Sequence, residues 1–147
     1  GNAGNDIIFG GAGDDVLIGG AGADQMDGGD GSDTFTIGTA GSGTTVQTAD
    51  TIAGFVSGSD KLSLGVAATD SNFVKATAAS ADFNAALAAA NAAFAADAGG
   101  AKAYVFHFDG TQGYLFIDRQ ANGSSADEVI VLTGLNNTNF AMTDIVV

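Results

Sequence analysis

Four nine-residue units in unbroken register open the chain: residues 1–9 (GNAGNDIIF), 10–18 (GGAGDDVLI), 19–27 (GGAGADQMD) and 28–36 (GGDGSDTFT). Each unit has Asp in its sixth place (Asp6, Asp15, Asp24, Asp33) and an apolar residue in its eighth (Ile8, Leu17, Met26, Phe35). The three residues after each Asp have room only for a brief strand, with the eighth side chain on one face and its neighbours on the other. Glycine fills places one, two and four, apart from Asn2, and these positions are expected to adopt positive φ in tight turns. Asn2 is a mild departure, because Asn tolerates the left-handed region better than most residues. Such turns leave main-chain carbonyls around Gly4, Gly11, Gly13, Gly20, Gly22, Gly29 and Gly31 free to face an ion.

Two units then make one coil of turn, strand, turn, strand, and each turn stacks on the turn two units later. That pairs Asp6 with Asp24, and Asp15 with Asp33. Neighbouring strands lie about 4.8 Å apart, so these carboxylates repel one another unless a cation sits between them. A flexible, all-oxygen site suits calcium better than magnesium. Two complete inter-turn sites are expected, with an open half-site at either end. Asp50 and Asp60 each stand immediately before a short strand beside that end. They either complete an end half-site or cap their own turns.

Charge fits this reading. The 147 residues carry 17 acids, 16 of them Asp, against Lys61, Lys75, Lys102 and Arg119, for a net charge of -13. The first 36 residues hold seven acids and no base, so without calcium this stretch is expected to be disordered. The balance disfavours nucleic acid as a partner, since it repels phosphate. There is no cysteine, hence no disulfide framework. No apolar run approaches the ~20 residues that span a bilayer, and nothing resembles a cleavable signal peptide. Starting on the first place of a repeat, the chain reads as the C-terminal piece of a longer protein.

Beyond the repeats, the polar residues 38–48 read as a loop or an irregular edge strand. Residues 50–55 (DTIAGF) and 61–64 (KLSL) read as short strands around the turn 56–60. Residues 80–100 contain the one clear helix, about 81–98, rich in Ala with Phe83, Leu87, Ala90 and Phe94 on one face. Ser80 or Asp82 is its N-cap and Gly99-Gly100 its stop. Strands follow at 104–108 and 113–118, joined through Asp109-Gly110, with Tyr104, Phe106 and Phe108 sharing one face. A further strand at 128–132, a turn near Asn136-Asn137 and the segment 142–147 complete the chain. The fold class is therefore mainly β: a parallel β-roll of nonapeptides over 1–36, continuing into an antiparallel sheet or sandwich over 37–147 with one Ala-rich helix. Places seven and nine are apolar in the first two units (Ile7, Phe9, Val16, Ile18) and polar in the last two. Upstream chain or a partner is expected to cover that first coil.

The units resemble the RTX (repeats-in-toxin) calcium-binding nonapeptide, G-G-x-G-x-D-x-U-x. Residues 50–64 (DTIAGFVSGSDKLSL) look like the segment following the repeats in serralysin-type proteases and related type I secreted proteins. Residues 114–134 look like a β segment found near the C-termini of RTX surface proteins. The ending Asp144-Ile145-Val146-Val147 is similar to the uncleaved C-terminal signals of that group. The resemblance implies recognition of the C-terminus by a type I ABC exporter, followed by folding in extracellular calcium. Sites of that class have dissociation constants of ~10⁻⁴ to 10⁻³ M, too weak to fill inside a cell.

Catalytic chemistry is not expected. His107 is the sole histidine, so no H-E-x-x-H site is available, and no G-x-S-x-G elbow occurs. The acid pairs Asp14/Asp15 and Asp127/Glu128 belong to the repeat and to a strand start. Asp118, Asn122 and Asp127 read as a solvated loop before they read as an ion site, and the sequons at Asn122 and Asn136 as incidental. The expected role is a calcium-binding structural module of an extracellular or cell-surface protein, surface-layer or adhesin-like, attached to upstream domains. The alternatives are the non-catalytic tail of a secreted hydrolase, protease or lipase, and a module that self-associates on binding calcium.

Overall fold

The computed structural model describes residues 1–38, 42–97, 103–120, 125–135 and 139–147. Among the described residues eleven strands run in chain order: β1 (Ile7–Ala12), β2 (Val16–Ile18), β3 (Gln25–Asp30), β4 (Thr34–Thr36), β5 (Asp50–Ala53), β6 (Lys61–Ser63), β7 (Phe73–Lys75), β8 (Tyr104–Phe108), β9 (Gln112–Ile117), β10 (Glu128–Thr133) and β11 (Ile145–Val146). One helix, α1 (Phe83–Ala95), lies between β7 and β8, and a short 3-10 turn, Met142–Asp144, precedes β11.

The nonapeptides stack as their period dictates. β1 pairs in parallel with β3 and β2 with β4, and the registers Ile8↔Met26 and Leu17↔Phe35 are each one coil, eighteen residues, apart. The coil does not stop at the last repeat. β3 pairs with β5 (Met26↔Ile52) and β5 with β10 (Ile52↔Leu132), while β4 pairs with β6 (Phe35↔Leu62) and β6 with β11 (Leu62↔Ile145). Two apolar rows therefore face each other across the roll, and all but the half-buried Ile8 lie fully inside. Each such side chain contributes roughly 1.5–3 kcal/mol by leaving water.

β10 also turns the roll into something else. On its far edge it pairs antiparallel with β9, and β9 with β8, while β7 adds in parallel beyond. The result is one seven-stranded sheet, β1-β3-β5-β10-β9-β8-β7, packed over a four-stranded parallel sheet, β11-β6-β4-β2. The β8–β10 segment is buried on both faces. Tyr104, Phe106, Leu115, Ile117, Ile130 and Leu132 join the roll interior. Val105, Tyr114, Phe116, Val129 and Val131 meet Ala86, Ala90 and Phe94 of α1 on the opposite face.

α1 starts at Phe83, two residues later than the sequence suggests, because Asp82 is the cap: its Oδ1 accepts from the Ala85 N–H at 2.8 Å. The expected stop at Gly99-Gly100 and the turn at Asn136-Asn137 lie outside the described residues. The Asp109-Gly110 hairpin is present, with Gly110 at φ 97° and Asp109 Oδ1 accepting from Thr111 and Gln112. β7 has no counterpart in the sequence reading, and β9 is shifted one residue toward the N-terminus of the expected 113–118.

Candidate metal centre

The six aspartates singled out by sequence form two ladders running across the coils. In the first, the Asp6 N–H donates to Asp24 Oδ1 (2.9 Å) and the Asp24 N–H to Asp50 Oδ1 (2.8 Å). In the second, the Asp15 N–H donates to Asp33 Oδ1 (2.9 Å) and the Asp33 N–H to Asp60 Oδ1 (3.0 Å). Each rung is closed from the other side as well. The N–H groups of Gln25, Thr34, Thr51 and Lys61 donate to the carbonyls of Asp6, Asp15, Asp24 and Asp33 at 2.8–2.9 Å. Asp50 and Asp60 thus stand at the next rung positions, although no nonapeptide surrounds them.

The glycines are needed for two distinct reasons. Places two and four do adopt positive φ, as at Gly20 (106°), Gly22 (132°), Gly29 (92°) and Gly31 (148°). A Cβ at these four positions would also lie 2.0–2.4 Å from the carbonyl oxygens of Asn2, Gly4, Gly11 and Gly13 in the preceding coil. Gly4, Gly11 and Gly13 share the positive φ but face open space. Place one departs from the expectation of positive φ: Gly1, Gly10, Gly19 and Gly28 are not among the positive-φ glycines. There a side chain is excluded by the Asp of its own unit, joined at Gly1 and Gly10 by a carbonyl of the next coil. A Cβ on Gly28 would meet Asp33 Oδ2 at 2.1 Å, and one on Gly19 would meet Asp24 Oδ2 at 2.6 Å. At Gly1 and Gly10 a carboxylate oxygen and a carbonyl of the next coil converge on the point a Cβ would take: Asp6 Oδ2 with the Gly19 carbonyl, both 2.2 Å away, and Asp15 Oδ2 with the Gly28 carbonyl, at 2.8 and 2.5 Å.

At one end of each ladder this oxygen has a partner: Asp6 Oδ2 accepts from the Asn2 N–H (3.1 Å) and Asp60 Oδ2 from the Val56 N–H (2.8 Å). Among the described residues, Oδ2 of Asp15, Asp24, Asp33 and Asp50 is buried with no hydrogen bond. A buried, unpaired carboxylate oxygen is costly. No described ion pair reaches these four residues, because Lys61 is committed to Asp144 and Arg119 to Glu128. Burial pushes the Asp50 carboxyl up to about 6; the hydrogen bond from the Asp24 main chain opposes this, and the like charges of Asp24 and Glu128 add to it. Orphaned carboxylate oxygens beside converging carbonyls fit a hard divalent cation. No three His, Cys, Asp or Glu side chains converge among the described residues. Main-chain oxygens must therefore complete any coordination sphere.

The family profile that matches this segment is the RTX calcium-binding nonapeptide repeat, in four copies over residues 1–35. Residues 1–35 are RTX calcium-binding repeats. No curated protein sequence matches the chain significantly. Among solved structures, the solution structure of the AlgE6R3 subunit from the Azotobacter vinelandii mannuronan C5-epimerase is 21% identical, covering 99% of this chain and 80% of that one, with a TM-score of 0.60. The AlgE6R2 subunit from the same epimerase is 20% identical, covering 99% and 89%, with a TM-score of 0.56. At such identity the likeness is one of fold, and it takes in the whole RTX roll together with the sheet and helix that follow.

Several residues that shape the RTX array escape a reading of the repeat consensus. At place five, Asn5 Oδ1 accepts from the Ala23 N–H and Asp14 Oδ1 from the Ser32 N–H, tying turn to turn. Ser42 accepts from the Asp50 N–H at 2.7 Å and donates to the Val129 carbonyl. Asp144, picked out by sequence only as part of a C-terminal signature, accepts from Ser57 Oγ, the Gly58 N–H and the Ala141 N–H. The remaining candidates stand apart from the ladders. Asp127 accepts from Gln120, while Asn122 lies outside the described residues. His107 sits half-buried on β8, within 3.2 Å of Ser80 Oγ, and burial lowers its pKa.

Proposed function

We propose that this chain is a calcium-triggered structural module, with no catalytic role, of a bacterial type I secreted protein that works outside the cell, surface-layer or adhesin-like. The observation that supports it best is the set of four buried Asp Oδ2 atoms with no partner among the described residues. An apo roll keeps these charges stacked and uncompensated. Calcium binds only the folded roll, so by linkage it supplies folding free energy where the ion is abundant. In this reading Asp6, Asp15, Asp24 and Asp33 bring the carboxylates, and the turn carbonyls around Gly4, Gly11, Gly13, Gly20, Gly22, Gly29 and Gly31 supply further ligands. Residues 37–147 serve as the base that caps the roll and carry the C-terminus to the ABC exporter. The outer row of Ile7, Phe9, Val16 and Ile18, 54–74% exposed, is the face on which upstream domains or a second copy pack.

A second reading, the non-catalytic module of a secreted enzyme, is favoured by one finding: the fold neighbours are subunits of an epimerase. Far-UV circular dichroism of the chain against free calcium, beginning in chelator and with magnesium as control, tests what the two readings share. A cooperative gain of β signal near millimolar calcium is expected. A spectrum unchanged between chelator and calcium would refute the trigger. Fusion of residues 1–147 to an unrelated reporter, expressed beside a type I exporter, tests the export role; retention of the reporter in the cell would refute it.

A further inference from the structure

The two ladders end differently, although sequence treats Asp50 and Asp60 alike. Asp50 is fully buried, and its Oδ2 has no partner among the described residues. Its neighbour on the rung, Asp24, is equally buried and also presents an orphaned Oδ2. Asp60 is as deeply placed, but both of its oxygens are satisfied: Oδ1 by the Asp33 N–H at 3.0 Å and Oδ2 by the Val56 N–H at 2.8 Å. An internal ion pair already closes that turn. Lys61 Nζ lies 3.4 Å from the Gly58 carbonyl and 3.5 Å from Asp144 Oδ1, and Asp144 itself accepts from Ser57 and Gly58 of the same turn.

We infer that the ion ladder extends one rung past the repeats on one side only: Asp50 is a calcium ligand shared with Asp24, and Asp60 is not a ligand. On the Asp60 side the chain substitutes its own groups for the ion. The Val56 N–H takes the oxygen that Asp15, Asp24, Asp33 and Asp50 leave without a partner, as the Asn2 N–H does for Asp6 Oδ2 (3.1 Å) at the opposite end of the other ladder, and Lys61 with Asp144 closes the turn. The Asp50 side has no such substitute, since no described base reaches it. The inference rests on the calcium reading of the repeats and adds a site in a segment that the repeat profile, ending at residue 35, does not cover.

Two measurements test it. In crystals of the unaltered chain soaked with terbium, anomalous peaks are expected on the Asp15/Asp33 and Asp24/Asp50 rungs, where both Oδ2 atoms lack partners, and none on the Asp33/Asp60 rung. A peak between Asp33 and Asp60, or none beside Asp50, overturns the asymmetry. Native mass spectrometry in calcium then compares Asp50→Asn, Asp60→Asn and Asp24→Asn with the parent chain. Asp50→Asn should carry one ion fewer and Asp60→Asn the parental number. An unchanged count for Asp50→Asn, with Asp24→Asn still losing ions, refutes this inference alone. A parent chain that binds no calcium refutes the reading beneath it.

Discussion

Replacing Asp24 with Asn should move stability in opposite directions depending on whether calcium is present. Asp24 is the middle residue of its ladder, one strand spacing, about 4.8 Å, from the coils of both Asp6 and Asp50. The amide keeps an Oδ1 to accept from the Asp6 N–H, so the rung's hydrogen bond survives. What disappears is a carboxylate facing two others. At an effective dielectric near 20, two unit charges about 5 Å apart repel by roughly 3 kcal/mol. Water and side-chain adjustment reduce this, so Asp24→Asn should stabilise the calcium-free roll by about 2–3 kcal/mol across its two contacts. In calcium the sign reverses. Each ion present at a hundredfold excess over its dissociation constant contributes about 2.7 kcal/mol. Disabling two rungs then removes up to about 5 kcal/mol. Urea unfolding of both proteins, once in EDTA and once in millimolar calcium, reads the two values directly. Equal destabilisation in both buffers would mean that the rungs are held by hydrogen bonds alone and that the electrostatic argument is wrong.

The glycines offer a cleaner steric comparison. Gly29→Ala and Gly4→Ala both place a side chain at positive φ (92° and 112°), but only at Gly29 does the new Cβ lie 2.0 Å from a carbonyl oxygen, that of Gly11. Thermal unfolding in calcium should show Gly4→Ala costing about 1–2 kcal/mol, and Gly29→Ala clearly more; equal losses would refute the close coil contact. Phe35→Ala, at a fully buried position in the second apolar row, should cost about 3–5 kcal/mol in calcium by equilibrium unfolding. Asp109 tests the C-terminal hairpin without any ion. Burial works against its charge, but hydrogen bonds from Tyr114, Thr111 and Gln112 outweigh it and hold the carboxyl at about 2, below its usual 3.8. The folded state therefore binds this proton less readily than the unfolded one. The hairpin's contribution is present above about pH 4 and is lost as pH falls toward 2. Asp109→Asn should flatten that part of the acid-unfolding profile, and an unchanged profile would count against the hydrogen bonds.

The roll was legible because its information is periodic. Spacing of nine fixes which turn stacks on which, and the eighth-place residues name the interior, so the pairings of Ile8 with Met26 and Leu17 with Phe35 follow from the sequence. The next coil was legible only as isolated strands. β5 and β6 keep the register of the roll, but the chain reaches β5 through a longer loop that uses Ser42, and reaches β6 through a turn in which Asp60 binds Val56. Neither connection repeats anything, so no period betrays it. β10 and β11 extend the same two apolar rows from the far end of the chain, a non-local pairing that local patterning does not encode. At the candidate site the aspartates were legible by position, whereas the difference between Asp50 and Asp60 was not. It depends on which oxygen a neighbouring N–H happens to reach.

The fusion of β5 to β10 and β6 to β11 gives the roll a polarity. On one side the roll is joined to an antiparallel sheet and helix, and among the described residues β1 and β2 are the outermost strands on the other. Rungs of near-identical hydrogen-bond geometry repeat between the two sides. In a stack of this kind each coil contacts only its neighbours, as in other quasi-one-dimensional repeats. Every added coil lengthens the rod by about 4.8 Å and leaves the contacts of the base unaltered. Length thereby becomes a quantity that duplication or loss of eighteen residues can adjust, while the sheet and helix at the base stay unchanged.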